Sequence, residues 1–356
     1  MAARKTIGVL MGGISPEHPV SLVSGTGMLK NLDPERYSGF PILISRENDW
    51  IWPEPREGAG DYGVDSPERA AAFLASPPAG WHRARFPRFD VFPRCDMALI
   101  GLHGVGGEDG RLQGFFELAG QAFTGSGSLG SALAMDKITS KRIYQAAGIP
   151  TARYRVLEKG EFADRIPAAR ALLEKEFGYP VVVKHPLGGS SLGMGIARDA
   201  ASLEGLLESL GAQAERLLAE EFIPGREGTC GVLAGFPPLA PTEIRPVSDG
   251  FFNYEAKYKP GRTEEITPAG FPAEVIARMQ AIARRAHEIL QLSVYSRTDF
   301  IYAEGRPAAD NLFVLETNNL PGFTPTSLLP QAAAHAGLSY SGLLTKVIEE
   351  SLARGR

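Results

Sequence analysis

The chain has 356 residues, enough for two or three packed units at roughly 150 residues each. Its 37 Lys and Arg against 41 Asp and Glu leave a net charge of −4, so no positive excess marks it for nucleic acid or an anionic membrane. A hydrophobic share of 44% excludes wholesale disorder, while 41 glycines and 27 prolines exceed an average share and predict many shaped loops.

Thr6 to Met11 is a short apolar run ending in Gly12-Gly13, and a helical pattern follows from about Glu17 to Leu32. Strand, glycine turn and helix in that order predict an α/β layer. The brief apolar start reads as a buried first strand, not as a signal peptide. Phe40 to Ile44 reads as a second strand. Residues 47–94, rich in Pro, Arg and Gly, read as a surface excursion with a helix over Pro67 to Leu74. Met97 to Leu102 is a buried-type strand running into the loop His103-Gly-Val-Gly-Gly-Glu-Asp-Gly110. One helix is predicted over Ser131 to Ala147, stopped by Gly148 and Pro150. Pro180 to Lys184 and Leu217 to Ile223 are further strands, the second ending at Pro224-Gly225. Gly270 to Leu290 holds a long amphipathic helix with Ile276, Met279, Ile282, Ala283, Ala286 and Ile289 on one face. Strands at Val294 to Tyr302 and Leu312 to Asn318 precede a C-terminal helix from about Tyr340 to Leu352. No apolar run reaches the roughly 18 residues that cross a bilayer. The two cysteines, Cys95 and Cys230, lie far apart without a CxxC companion. That argues against a disulfide framework or thiolate metal site and predicts a reducing, cytoplasmic setting.

The most informative segments are Arg297-Thr-Asp299 and Glu316-Thr-Asn318. Strand side chains alternate faces, so Arg297 shares a face with Asp299, and Glu316 with Asn318. If the strands are neighbours, a carboxylate from each and an amide oxygen converge, a hard-oxygen set suited to magnesium. Without that pairing they are ordinary strands with polar outer faces. Asn318-Asn-Leu-Pro-Gly-Phe-Thr324 follows and can present backbone N–H groups beside them. Lys184 closes a Val-rich strand before Gly188-Gly-Ser-Ser-Leu-Gly193. Such a loop can cover phosphates with its N–H groups while the lysine supplies a point charge. A strand-end lysine is as readily a solvated residue, and the pattern is not a Walker A loop. Gly12-Gly-Ile-Ser-Pro-Glu17 puts a carboxylate at a helix start, where the dipole favours it whatever the function. The lack of GxGxxG argues against a nicotinamide dehydrogenase. The six scattered histidines argue against zinc, and the missing Gly-x-Ser-x-Gly argues against an α/β-hydrolase.

Eight stretches resemble the D-alanine–D-alanine ligase family of the ATP-grasp superfamily. They are Gly12-Gly-Ile-Ser-Pro-Glu-His-Pro-Val-Ser-Leu22, His103-Gly-Val-Gly-Gly-Glu-Asp-Gly-Arg-Leu-Gln-Gly114, Thr124-Gly-Ser-Gly127 and Ser131-Ala-Leu-Ala-Met-Asp-Lys137. Gly189-Ser-Ser-Leu-Gly-Met194, Tyr254-Glu-Ala-Lys-Tyr258, Arg297-Thr-Asp-Phe300 and Glu316-Thr-Asn-Asn-Leu-Pro-Gly-Phe-Thr-Pro-Thr-Ser327 complete the set. They fall in family order and span nearly the whole chain outside residues 47–94. The resemblance implies an α/β fold: a Rossmann-like parallel-sheet domain for substrate over residues 1–125, then a two-lobed α+β ATP-grasp fold. Its small central lobe would cover 126–223 and its catalytic lobe 224–356.

The implied reaction joins two D-alanines through an acyl phosphate made with ATP, for peptidoglycan precursors. The resemblance assigns two magnesium ions, with manganese as a substitute, to Asp299, Glu316 and Asn318. It gives Lys137 and Lys184 to the ATP phosphates, Glu220, Glu221, Phe222 and Ile223 to the adenine hinge, and Glu227 to the ribose. Lys257 joins the ATP contacts. Arg297 and the Gly322 backbone would stabilise the tetrahedral oxyanion. Glu17 would hold the first substrate's ammonium, His103 would lie near its carboxylate, and Ser327 with Leu328 would meet the second. Glu17, Ser190 and Tyr258 correspond to the family's triad, with a loop around 250–265 closing over the site. The implied partners are small molecules only, with no membrane or nucleic acid, in a homodimer. A ligase taking D-lactate or another amino acid as acceptor is the alternative, with Tyr258 on the side of an amino acceptor; a non-catalytic nucleotide-binding protein is the other. Four departures stand out: His185 and Leu187 in the phosphate cover, whose charge they alter, Pro19, Asn319, and a longer hairpin over Glu304 to Asp310.

Overall fold

The apolar start of the chain forms β1 (Lys5–Gly12), and α1 (His18–Asn31) returns over it. In the computed structural model, which describes residues 3–56, 61–85, 93–163, 165–189, 193–212, 214–246 and 263–354, β1 is an interior strand of its sheet. β2 (Tyr37–Ile44) pairs with it in parallel on one side. The helix sits close because Gly25 has no side chain: a Cβ there would come within 2.3 Å of Met11 Cβ. Ser21 ties it down, accepting from Gly12 N at 2.9 Å and donating to Gly101 O at 2.7 Å.

Residues 47–94 are more than a surface excursion, which corrects the sequence reading. They supply β3 (Asp49–Trp52), α2 (Pro67–Ala75) and β4 (His82–Arg85), and the two strands extend the sheet in antiparallel fashion. Trp50, Ile51, Trp52 and Ala70 are buried in its core. Four-residue strands flanked by Pro and Gly carry too little periodicity to stand out in the sequence. β5 (Met97–Ile100) completes the order β4-β3-β2-β1-β5, pairing with β1 in parallel, and α3 (Arg111–Ala119) follows the glycine-rich loop.

The helix expected over Ser131 to Ala147 is two helices, α4 (Ser128–Met135) and α5 (Lys137–Ala146). Asp136 breaks them, its carboxylate accepting from Thr139 N at 2.8 Å and capping α5. A second sheet follows, from β6 (Tyr154–Glu158), α6 (Lys159–Phe162), α7 (Ile166–Phe177), β7 (Val181–Lys184), β8 (Met194–Ala197), α8 (Ala200–Gly211) and β9 (Arg216–Glu221). Its order is β6-β9-β7-β8, antiparallel throughout. Alternation sends Val181, Val183, Leu217 and Ala219 into a core with Leu173 of α7 and Leu203 of α8. Val182, Lys184 and Glu220 take the other face.

The third sheet runs β12-β11-β10-β13-β14, built from β10 (Arg226–Leu233), β11 (Thr242–Pro246), β12 (Thr263–Ile266), β13 (Tyr295–Tyr302) and β14 (Leu312–Asn318). The amphipathic helix, α9 (Ala273–Ile289), covers its back: Met279, Ala283 and Ala286 pack with Cys230, Phe300 and Val314. Its apolar face was read well, though Ile276, Ile282 and Ile289 are only partly buried. α10 (Leu328–His335) and α11 (Tyr340–Ala353) close the chain, α11 placing Leu343, Leu344, Val347 and Ile348 in the core that also holds β1 and β5. No described helix is long and apolar enough to cross a membrane.

Candidate active site

β13 and β14 are antiparallel neighbours, the condition on which the carboxylate argument depended. Asp299 faces Glu316 and Arg297 faces Asn318. The register shifts between Asp299 and Phe300, leaving Leu315 as the extra residue on β14, and Leu315 and Glu316 both line the cavity. Arg297 grips Asp299 through two 2.9 Å hydrogen bonds, Nε to Oδ1 and Nη2 to Oδ2. Thr229 Oγ1 donates to Asp299 Oδ1 at 2.6 Å, and Asn318 Nδ2 donates to Oδ2 at 3.1 Å. Among the described residues no three His, Cys, Asp or Glu side chains form a metal cluster. Two carboxylates and one amide do converge here, oxygen donors of the kind a hard divalent cation takes.

The facing wall carries lysines. Lys137 Nζ lies 2.8 Å from Glu316 Oε2 and donates to Gly188 O at 2.6 Å. Burial works against its charge, but the Glu316 carboxylate raises its pKa. Lys184 Nζ donates to Glu220 Oε2 at 2.6 Å, and Lys141 Nζ lies 2.8 Å from Oε1 of the same carboxylate. Burial would push Glu220 up, yet the two ammonium groups hold it down at about 2. Lys141 is itself lowered, by burial first, with Glu220 opposing. Lys141 also reaches Thr151 Oγ1 at 2.5 Å, and that hydroxyl donates to Val314 O of β14. Sequence reasoning missed Lys141. The available signal was its position one helical turn beyond Lys137, on the same face.

Glu221 turns away from Glu220: its oxygens take Arg153 N at 3.0 Å and Arg153 Nε at 2.8 Å. His185, read as altering the charge of the phosphate cover, is held below the usual imidazole range by burial and the Lys137 cation, so it is neutral at neutral pH. Glu17 stands at the residue before α1 without a side-chain capping bond to it, and glycine backbones crowd its carboxylate. A Cβ on Gly189 would lie 2.7 Å from Glu17 Oε2, and one on Gly104 2.5 Å from it. His103 Nε2 pairs with Ser24 Oγ at 2.9 Å, and its Nδ1 lies 3.7 Å from Glu108 Oε1. Glu108, also missed, accepts from Gly104 N at 2.8 Å and so shapes the loop under His103. Ser327 precedes α10, and its Oγ turns back from the helix to accept from Thr324 N at 3.0 Å in the turn after Gly322.

One cavity of about 550 Å3 collects these groups. Glu17, His103, Lys137, Lys184, Glu220, Glu221, Phe222, Ile223, Glu227, Arg297, Asp299, Glu316, Asn318, Gly322, Ser327 and Leu328 all line it. Ser190, Lys257 and Tyr258 lie outside the described residues. Cations on one wall thus face carboxylates on another, between two antiparallel sheets, an arrangement that can hold a polyphosphate and a divalent cation together.

Comparison narrows the class. The family model described as D-ala D-ala ligase N-terminus matches residues 6–126, and D-ala D-ala ligase C-terminus matches 143–349. The D-alanine–D-alanine ligase of Leptospira biflexa is 39% identical, over 97% of this chain and 98% of that one. The VanG D-Ala:D-Ser ligase of Enterococcus faecalis superposes with a TM-score of 0.81 at 29% identity, covering 98% of this chain and 99% of that chain. The Bacillus anthracis D-alanine–D-alanine ligase complexed with ATP gives 0.70 at 31% identity, covering 99% and 98%. The chain belongs to the D-alanine–D-alanine ligase family.

Proposed function

We propose that the chain joins two D-alanines into D-alanyl-D-alanine, consuming ATP through an acyl phosphate, as a step in making peptidoglycan precursors. The observation that carries this is one cavity in which lysines face Asp299, Glu316 and Asn318, in a chain of this family. ATP phosphorylates the first D-alanine's carboxylate, and the second substrate's amine attacks the acyl phosphate. The tetrahedral intermediate then collapses to dipeptide and phosphate. Such chemistry rests on positioning and charge neutralisation.

In this reading Lys137 and Lys184 take the ATP phosphates, and residues 220–223 border the adenine with Glu227 at the ribose. Lys184 remains bonded to Glu220, which fixes its ammonium where a phosphate can share it. Asp299, Glu316 and Asn318 suit two magnesium ions, with manganese as a substitute, once the Asn318 amide turns its oxygen inward. Bound there, the ions neutralise phosphate charge. Arg297 and the Gly322 N–H face the oxyanion. Glu17 holds the first ammonium, with His103 by the carboxylate. Ser327 and Leu328 receive the second substrate. Ser190 and Tyr258 with Glu17 complete the family's triad, and Lys257 joins the ATP contacts. ATP use and two free cysteines fit a cytoplasmic enzyme, and we expect a homodimer, testable by light scattering.

Purified protein with ATP, magnesium and D-alanine should release phosphate and form dipeptide by mass spectrometry. Absence of dipeptide would overturn the reading. Competition with D-lactate at neutral pH should still give mainly amide, and mainly ester would reassign the acceptor.

A further inference from the structure

The sheet face that carries Asp299 and Glu316 ends, at its other edge, in a carboxylate with no assigned role. Glu265 on β12 lies opposite Ile244 of β11, and Ile244 lies opposite Glu227 of β10. Directly opposed residues share a face, so Glu265 projects on the same side as Glu227, and it lines the cavity. Its surroundings are those of the Ser327–Leu328 corner. Ile244 and Leu328 form a buried apolar pair. Gln331, one turn into α10, donates its backbone N–H to Ser327 O at 3.0 Å. Its side-chain amide donates both to Glu265 Oε2 and to Thr326 O. The Glu265 carboxylate is thus held in place at the α10 end of the cavity, while the lysines stand with Glu316 and Glu220.

Resting on the ligase reading, we propose that Glu265 receives the ammonium group of the acceptor amino acid and takes the proton that this amine sheds before attack. An ammonium has no lone pair to attack with, so the acceptor step needs a base within reach. Burial pushes the Glu265 carboxyl above its ordinary range, while the Gln331 amide and the Arg297 cation draw it back down. The groups facing it are Arg297 from β13, neutral Gln331 from α10, and apolar Ile244 and Leu328.

The step balances. The acceptor's –NH3+ gives one proton to the Glu265 carboxylate, and the freed lone pair forms the C–N bond at the acyl carbon. As the C–O bond to phosphate breaks, the departing phosphate takes a second proton from nitrogen. Amide, hydrogen phosphate and protonated Glu265 remain, and Glu265 releases its proton to solvent. A hydroxy acid offers no ammonium to this carboxylate, so Glu265 also favours amino over hydroxy acceptors.

The test compares Glu265→Gln with wild type using two acceptors, D-alanine and hydroxylamine. Hydroxylamine is uncharged at neutral pH and captures the acyl phosphate as a hydroxamate without a base. Glu265→Gln keeps the side-chain shape and should cut dipeptide formation roughly a hundredfold, leave hydroxamate formation in place, and remove the acidic limb of kcat/KM for D-alanine. Glu265→Asp, which restores a carboxylate, should recover part of the loss. Equal loss of both products, or dipeptide formation with an unchanged pH profile, would overturn the proposal. Wild type forming no hydroxamate would instead overturn the ligase reading, and the acceptor role with it.

Discussion

Two charged clusters share the cavity wall and are built differently. On α5 and β9, Lys141 and Glu220 are sealed in, with side-chain exposures of 0% and 2%, and Lys184 of β7 joins them from the cavity wall at 11%. On β13 and β14, Arg297, Asp299 and Glu316 remain 14%, 15% and 23% exposed. The first cluster is complete within the protein: one carboxylate between two ammonium groups, tied through Thr151 to the neighbouring sheet. The second presents its carboxylates to the cavity, and its cations are groups that a ligand can displace or share. A buried ion is stabilising only when every partner stays, whereas a half-exposed one can exchange partners at little cost. The first cluster therefore holds the frame on the nucleotide side, with Lys184 as its one member offered to a phosphate, and the second is where carboxylates are left open to a cation and the reacting groups.

The sharpest way to break this distinction is Glu316→Ala. Turnover should fall roughly a thousandfold or more, because a metal ligand and the partner of Lys137 both go. The melting temperature should change by only a few degrees, since the site faces the cavity. Phosphate release near the wild-type rate would contradict the metal assignment.

Lys141→Met should do the reverse and act on stability first. Removing one ammonium leaves Glu220 with Lys184 alone, a loss of about 3 kcal/mol by urea unfolding at neutral pH. Glu220 titrates at about 2 in the fold against an ordinary 4.5, so its paired charge stabilises above that ordinary value. This contribution fades as pH falls toward 2, and the gap between variant and wild type should narrow over that range. A gap independent of pH would mean that Lys141 acts through packing alone.

These two clusters also differ in how far the sequence disclosed them. Arg-Thr-Asp and Glu-Thr-Asn on strands show their shared face through the period of two, and register alone then brings Asp299 opposite Glu316. Lys141 sits on a helix whose orientation depends on the Asp136 break, and the reading of one continuous helix hid it. Its partner Glu220 was assigned to the adenine hinge, while the two lysines that hold it are separated from it by 79 and 36 residues, a distance no local pattern spans. Glu265 was hidden similarly, since only the β11–β12 register and Gln331 give it a neighbourhood. The strands of residues 47–94 escaped because their burial comes from the sheet they extend, not from their own length.

Thr229→Val sharpens the comparison from within the second cluster. The Thr229 hydroxyl donates to Asp299 and touches no proposed substrate, so its loss leaves the carboxylate in place but less well aimed. A supporting hydrogen bond of this kind is worth 10–100-fold in metal affinity, so half-saturating magnesium should rise about tenfold or more. The KM for D-alanine should hold nearly steady. If magnesium dependence does not move while KM rises, Asp299 serves the substrate and not a cation.

The smallest effect tests the comparison at adjacent residues. Glu221 neighbours Glu220 on β9, yet pairs with Arg153, whose side chain is 62% exposed. Water screens that pair, so Glu221→Gln should lower stability by less than about 1 kcal/mol, well below the Lys141→Met loss. Its KM for ATP should also change little, because a hinge bordering adenine acts through backbone groups that the substitution keeps. If Glu221→Gln instead weakens ATP binding as strongly as a change at Lys184, the Glu221 carboxylate must swing from Arg153 to the nucleotide, and the division between a fixed frame and an exchangeable site would have to be redrawn at the end of β9.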